Sequence, residues 1–192
     1  MSIRTFIAIE LSSEVRSKLT AIQEILKKSG AYVRWVEPGN IHLTLKFLGS
    51  VSPLRLEDVF NATDEAIEKT TPFLLSFSGL GAFPKLDNPR VVWVGAEEGG
   101  KILSRIQQRL ETNLKRRGFP AEEREYHPHL TLGRVKSSKN KDKLIEAIKA
   151  EKSYSLGAMK VKKITVMQSI LKPGGPEYKP LHVSKIKEFR QD

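Results

Sequence analysis

The tetrapeptide His-Leu-Thr-Leu occurs twice in this chain, as His42–Leu45 and His129–Leu132, 87 positions apart. An imidazole with an ordinary pKa near ~6.5 can hold or release a proton at neutral pH. A hydroxyl one residue away can donate to a phosphoryl oxygen. Two such pairs provide what a displacement at phosphorus needs: one imidazole to take a proton and one to give a proton. On a strand, successive side chains face opposite sides, so His42 and Thr44 share one face while Leu43 and Leu45 share the other, and the same holds for the second copy. A single copy would read most simply as a histidine that satisfies backbone groups. The repeat, in strand-like context both times, favours two walls of one groove.

Other residues near the repeats could bind. Arg134, three residues beyond Thr131, carries a forked, permanent charge. Strict alternation puts Lys46 on the face of His42 and Thr44 and turns Phe47 away. Phe47, Phe83, Trp93 and Tyr126 are candidate platforms for unpaired bases, so Lys46, Phe47 and Tyr126 join the candidate substrate contacts. His127-Pro128-His129, with His42, is a rival zinc triad, but it leaves both threonines unexplained and lacks a nearby carboxylate. Nucleotide-activating signatures are absent: Lys85-Leu86-Asp87-Asn88 lacks the glycine of a nucleotidyl-lysine motif, and no Walker loop occurs.

The elements that must carry these residues follow from periodicity. A strand covers Arg4–Leu11. Ser12 or Ser13 caps a helix with apolar positions Val15, Leu19, Ile22, Ile25 and Leu26, and Gly30 ends it. Strands 33–36 and 41–48 flank the turn Glu37–Asn40. Ser52-Pro53 opens a helix to about Lys69, and strands 73–79 and 91–94 follow around a loop rich in Gly and Pro. A helix over 101–116, the strand 129–135 and a helix over 141–150 come next. Strands 161–171 and 182–189 close the chain around a loop at 172–180. The order predicts an α+β protein with no linker between halves.

The 192 residues hold 33 Lys+Arg, 22 Asp+Glu and no cysteine, giving a net charge of +11. The missing cysteines exclude a disulfide scaffold, a thiol nucleophile and Cys-ligated metal centres. The apolar start is broken at Glu10, which argues against a signal peptide or membrane span and for a cytoplasmic protein. Residues 97–192 carry 22 basic and 12 acidic residues, so nearly all the excess lies in the second half. A basic excess suits a phosphate-bearing partner. The simplest assignment gives the stronger grip to the lobe of His129 and Arg134. An RNA-binding module without catalysis is the rival class, although no RRM or KH signature supports it.

The paired His-x-Thr motifs, the strand–helix order and Arg134 resemble the two-histidine phosphoesterase superfamily. Thr-Leu-Lys-Phe-Leu-Gly after His42 and Gly-Arg-Val after Leu132 resemble its RNA 2′,3′-cyclic phosphodiesterase branch, also called 2′-5′ RNA ligases. The resemblance spans essentially the whole chain. It implies one bilobal domain over 1–192, with two antiparallel sheets facing a central cleft, helices outside and a pseudo-two-fold axis. It further implies hydrolysis of 2′,3′-cyclic phosphate ends to 2′-phosphates, with His42 as proton donor and His129 as acceptor. Thr44, Thr131 and Arg134 would hold the phosphate. The expected partners are RNAs with cyclic phosphate ends, tRNA fragments among them, and a nucleotide in the cleft. ATP-independent 2′-5′ ligation, a monomer, and no metal or cofactor complete the expectation.

Overall fold

The computed structural model describes residues 2–188. Nine strands and four α-helices follow one another: β1 (Ile3–Glu10), α1 (Ser13–Lys27), β2 (Val33–Trp35), β3 (His42–Val51), α2 (Leu56–Ile67), β4 (Phe73–Lys85), β5 (Asn88–Ala96), α3 (Gly100–Arg116), β6 (His129–Val135), α4 (Lys141–Ala150), β7 (Ser155–Val161), β8 (Lys163–Lys172) and β9 (Gly175–Lys185). The Ser12 hydroxyl caps α1 by accepting from the Val15 amide at 3.3 Å, so the helix starts where the sequence predicts.

Two antiparallel sheets form, with strand orders β3-β1-β8-β9 and β2-β6-β5-β4-β7. Without β2 the second order is β6-β5-β4-β7, which matches the first strand for strand. Each motif strand, β3 or β6, thus occupies the same place in its sheet. The sheets are also interwoven. β8 and β9, from the end of the chain, complete the sheet of His42, through pairs such as Thr5–Gln168. Helix α3 packs on α2 and on β3, whereas α1 packs on β7 and α4. The second half of the sequence therefore contributes to both lobes, and its charge excess does not belong to the lobe of His129 alone. The strand exchange thus removes the basis for assigning the whole excess to one lobe.

Three segments differ from the periodicity reading. The Gly- and Pro-rich stretch between residues 80 and 90 is the tip of a long β4–β5 hairpin. There Gly81 makes room for the Trp93 ring, because a Cβ would lie 2.3 Å from it. Val161 ends a separate strand, β7, that pairs with β4, and β8 begins in the other sheet. The 172–180 segment is mostly strand, with a tight turn before Gly175. Phe189, the predicted end of the last strand, lies outside the described residues.

Both sheets bury one face on a shared core that includes Ile7, Leu43 and Leu45 from the first lobe and Val92, Leu130 and Leu132 from the second. Burial at about 1.5–3 kcal/mol per large apolar side chain makes this shared core the main attachment between lobes. A second, small cluster of Phe6, Ala8, Met167 and Tyr178 lies apart from it. Phe6 and Ala8 alternate with Ile7 and Ile9 along β1, which places the small cluster on the opposite face, the cleft side. Among the described residues no helix is long and apolar enough to cross a membrane.

Candidate active site

His42 and His129 each begin their strand, and β3, at the edge of its sheet, comes alongside β6 of the other. The Tyr126 hydroxyl, from the segment entering β6, donates to the Thr44 carbonyl at 3.3 Å and ties the two motifs together. The duplicated geometry extends to the imidazoles. His42 Nδ1 lies 2.8 Å from the Asn40 carbonyl and His129 Nδ1 lies 2.6 Å from the His127 carbonyl, two residues upstream in both cases. A carbonyl can only accept, so each Nδ1 carries hydrogen and donates. Each Nε2 is thereby left to exchange a proton with a substrate.

A bulge inside each motif strand decides what else reaches the cleft. In β3, Ala8 faces Thr44 and Ile7 faces Lys46, so Leu45 is an extra residue. In β6, Trp93 faces Thr131 and Val92 faces Gly133, so Leu132 is the extra one. Alternation reverses after it. Lys46 is therefore buried, 6% exposed, on the side away from the cleft. There its ammonium donates to Glu111 on α3, at 2.8 Å to Oε1 and 3.0 Å to Oε2, and to the Pro120 carbonyl at 3.2 Å. The expectation that Lys46 joins His42 and Thr44 in the groove is thus corrected. Phe47 takes that face, 64% exposed, with its ring 5.9 Å from Phe6. The same reversal brings Arg134 to the face of His129, where its charge acts on that imidazole.

Aromatic rings wall both histidines. Phe6 stacks on His42 at 4.7 Å, and Tyr178 meets it edge-on at 5.1 Å. Phe83 meets His129 edge-on at 5.0 Å, with Trp93 at 6.3 Å. Of the four aromatics suggested by the sequence, Phe47, Phe83 and Trp93 thus lie near the imidazoles or their wall, and Tyr126 is the tie between strands. Burial pushes the His42 pKa down to about 4, and the Arg16 charge acts in the same direction, against the Asn40 carbonyl and Glu10. His129 is also lowered, by burial first and then by the charges of His127 and Arg134, against the His127 carbonyl. Both are therefore neutral in the empty site near pH 7.

A cavity of about 380 Å³ opens beside His42, lined by Glu10, Arg16, Asn40, Met167, Glu177 and Tyr178. Sequence patterning does not single out Glu10 or Arg16, because they lie on β1 and α1, far from either motif. Burial raises the Glu10 pKa, but hydrogen bonds from Lys163 and Thr165 outweigh this and keep it a carboxylate. Arg16 donates to the Gly39 carbonyl at 3.1 Å, while its buried Nε has no partner among the described residues. His127 is mostly exposed and 3.8 Å from Glu125. Among the described residues no three His, Asp or Glu side chains gather as a metal site.

Two equivalent lobes, each presenting one His-x-Thr strand on a common cleft, define a two-histidine phosphoesterase. The chain belongs to the LigT like phosphoesterase family, whose model matches it twice, over residues 9–93 and 94–178. Curated relatives named RNA 2′,3′-cyclic phosphodiesterase include one from Methanothermobacter thermautotrophicus, 38% identical and covering 97% of this chain and 100% of its own. Another, from Archaeoglobus fulgidus, is also 38% identical and covers 94% and 98%. A crystal structure from Thermus thermophilus superimposes with a TM-score of 0.78 at 27% identity, covering 96% of this chain and 98% of that one. E. coli LigT complexed with 3′-AMP gives 0.77 at 25%, covering 98% and 100%.

Proposed function

We propose that this protein hydrolyses RNA 2′,3′-cyclic phosphate ends to 2′-phosphates with His42 and His129 as its proton-transfer pair. The observation that carries the reading is the matched tether of the two imidazoles, each held through Nδ1 by the carbonyl two residues before it. Water forms the new bond to phosphorus and the P–O3′ bond breaks. One Nε2 takes the water's proton and the other protonates O3′, so the product is a 2′-phosphate with a free 3′-hydroxyl. Thr44, Thr131 and Arg134 offset the charge on the phosphoryl oxygens. The cavity beside His42 accommodates the nucleoside; that a nucleotide is bound at all is supported by E. coli LigT, which is complexed with 3′-AMP. A 5′-hydroxyl in place of water would give a 2′-5′ linkage without ATP. The two lobes act as one unit on their shared core, in the cytoplasm.

The family resemblance makes His42 the donor and His129 the acceptor. That order requires the negative charge of the bound phosphodiester to raise the His42 pKa, so that the imidazole takes up a proton from solvent at about pH 7. The reverse order is a second reading, favoured by the deep lowering of His42. One experiment addresses both. An oligoribonucleotide ending in a 2′,3′-cyclic phosphate, incubated with chelator, should yield a 2′-phosphate, and His42→Ala or His129→Ala should each cost about 10²–10⁴-fold in kcat. A 3′-phosphate product, or full activity in either variant, overturns the proposal. A nitrophenyl leaving group needs no acid, so it rescues the variant that lacks the donor and identifies which histidine that is.

A further inference from the structure

A feature that the proposed function leaves unused lies on the other side of the His42 lobe. Lys46 points from β3 toward Glu111 of α3, on the face opposite His42 and Thr44, so α3 backs the sheet away from the cleft. Along the α2–α3 junction runs a groove of about 360 Å³ lined by Arg105, Gln108, Arg109, Thr112, Asn113 and Arg116. These positions recur at three- and four-residue steps and form one stripe. At 1.5 Å rise per residue, Arg109 lies about 6 Å along the axis from Arg105, and Arg116 about 10 Å further.

The groove is built from fixed parts. Asn113, buried, donates to the Ala62 carbonyl of α2 at 3.2 Å, and Arg109 reaches the Thr70 hydroxyl at 3.4 Å. Three carboxylates of the adjoining α2 are engaged elsewhere: Asp58 with Arg55 at 2.6 Å, Glu65 with Arg117 at 2.6 Å and Asp64 with His182 at 2.9 Å. Among the described residues, none of the three groove arginines lies in an ion pair. Three forked cations on one polar stripe, flanked by amide and hydroxyl donors, suit successive phosphates of a nucleic-acid backbone.

We propose that this α3 groove is a distal site for the phosphodiester backbone of the RNA whose end lies in the cleft. The inference rests on the proposed function for its choice of RNA. It places the additional grip on the His42 lobe, and it predicts selection for substrates long or folded enough to reach around the sheet. A mononucleotide 2′,3′-cyclic phosphate cannot touch both places.

The test compares the wild type with Arg105→Gln/Arg109→Gln/Arg116→Gln on two substrates, a mononucleotide 2′,3′-cyclic phosphate and a 30-nucleotide RNA hairpin with the same end. The mononucleotide should be turned over with unchanged kcat and KM, while KM for the hairpin rises at least tenfold. Losing three phosphate contacts should make the log–log salt slope of hairpin binding shallower by about 2.1 to 2.7, so between 50 and 200 mM salt the wild type loses roughly 20- to 40-fold more affinity than the variant. The triple Lys variant at the same positions should keep most of the affinity. Lys139→Gln/Lys143→Gln/Lys149→Gln, on and before α4, removes the same charge elsewhere and should leave hairpin binding near wild type. An unchanged hairpin KM and slope, or an equal loss in the α4 variant, overturns the proposal. Binding is also measured with a hairpin ending in 3′-hydroxyl. If the wild type hydrolyses neither cyclic phosphate, the proposed function fails, and this measurement still reads the groove.

Discussion

Lowering the pH should destabilise this protein through His42 in a calculable way. Burial under Phe6 and Tyr178 brings the imidazole pKa from 6.5 to about 4. A histidine with a depressed folded pKa takes its proton first in the unfolded chain, so acid favours unfolding. The loss begins as pH falls through about 6.5 and is complete near the folded value. With 1.36 kcal/mol for each pKa unit, the linkage is worth about 2 kcal/mol at pH 5 and about 3 kcal/mol at pH 4. The perturbation is His42→Gln, with His42→Phe as a variant that keeps a ring against Phe6. The assay is urea unfolding at pH 7, 6, 5 and 4, and the quantity read is the change in the wild-type-minus-variant difference, which cancels any constant stability offset. His129 and the carboxylates remote from His42 titrate in both proteins and drop out of that difference, leaving only the coupling to Glu10. Wild type should lose about 3 kcal/mol relative to either variant between pH 7 and pH 4. Inorganic phosphate, which favours the protonated imidazole, should shrink that loss. Curves that stay parallel across this window, or that diverge in the opposite sense, refute the argument that burial holds His42 neutral.

Two further outcomes follow from the same geometry. Lys46→Met strands Glu111, which also accepts from Gln107 at 3.1 Å and the Glu122 amide at 3.2 Å. Denaturant unfolding should show a loss of about 3 to 5 kcal/mol, and Lys46→Met/Glu111→Leu should recover most of it. Thr44→Val and Thr131→Val conserve shape and remove a hydroxyl from the cleft face. Each should lower kcat/KM on a cyclic phosphate by about 10- to 100-fold, the equivalent of one hydrogen bond of about 1.5–3 kcal/mol to a charged group, with unchanged thermal unfolding.

The histidine pair of the proposed site was legible because its signal is local: four residues, repeated, in a strand pattern that also fixes which side chains share a face. The helices were legible for a similar reason, as with Val15, Leu19, Ile22 and Leu26, all buried on one side of α1. What stayed hidden depends on pairing between distant segments. Lys46 and Phe47 exchange faces because Leu45 bulges opposite β1, and nothing within Leu-Thr-Leu-Lys-Phe announces this. The lobe that receives the basic residues of α3 is decided by which sheet the helix packs on, a long-range choice. Gly81, Pro84 and Pro89 have the composition of a loop, yet they belong to a strand pair shaped by the Trp93 ring, where a local breaker is tolerated for a packing reason. Arg16 and Glu10 come to His42 through the fold, at a separation no motif spans.

The two bulges bear on how a symmetric scaffold serves an asymmetric substrate. Each extra residue, Leu45 or Leu132, lies three positions after its histidine, and each reversal sends the residue at position five into the cleft: Phe47 in one lobe, Arg134 in the other. The backbone is the same, and the side chains delivered by it differ in kind. The residues left on the buried side differ correspondingly. Lys46 needs Glu111 and the Pro120 carbonyl, whereas Gly133 lies so close under β2 that a Cβ would come within 2.7 Å of Val33. A cyclic phosphate end is itself lopsided, with an anionic phosphorus centre on one side and an apolar base face on the other. Matched tethers for the two imidazoles suit a proton taken and a proton given. An aromatic ring opposite a guanidinium suits a substrate that must enter in one orientation. On the proposed function, duplication kept the part of the site in which the two proton transfers are alike and diverged at the position where base and phosphate are not.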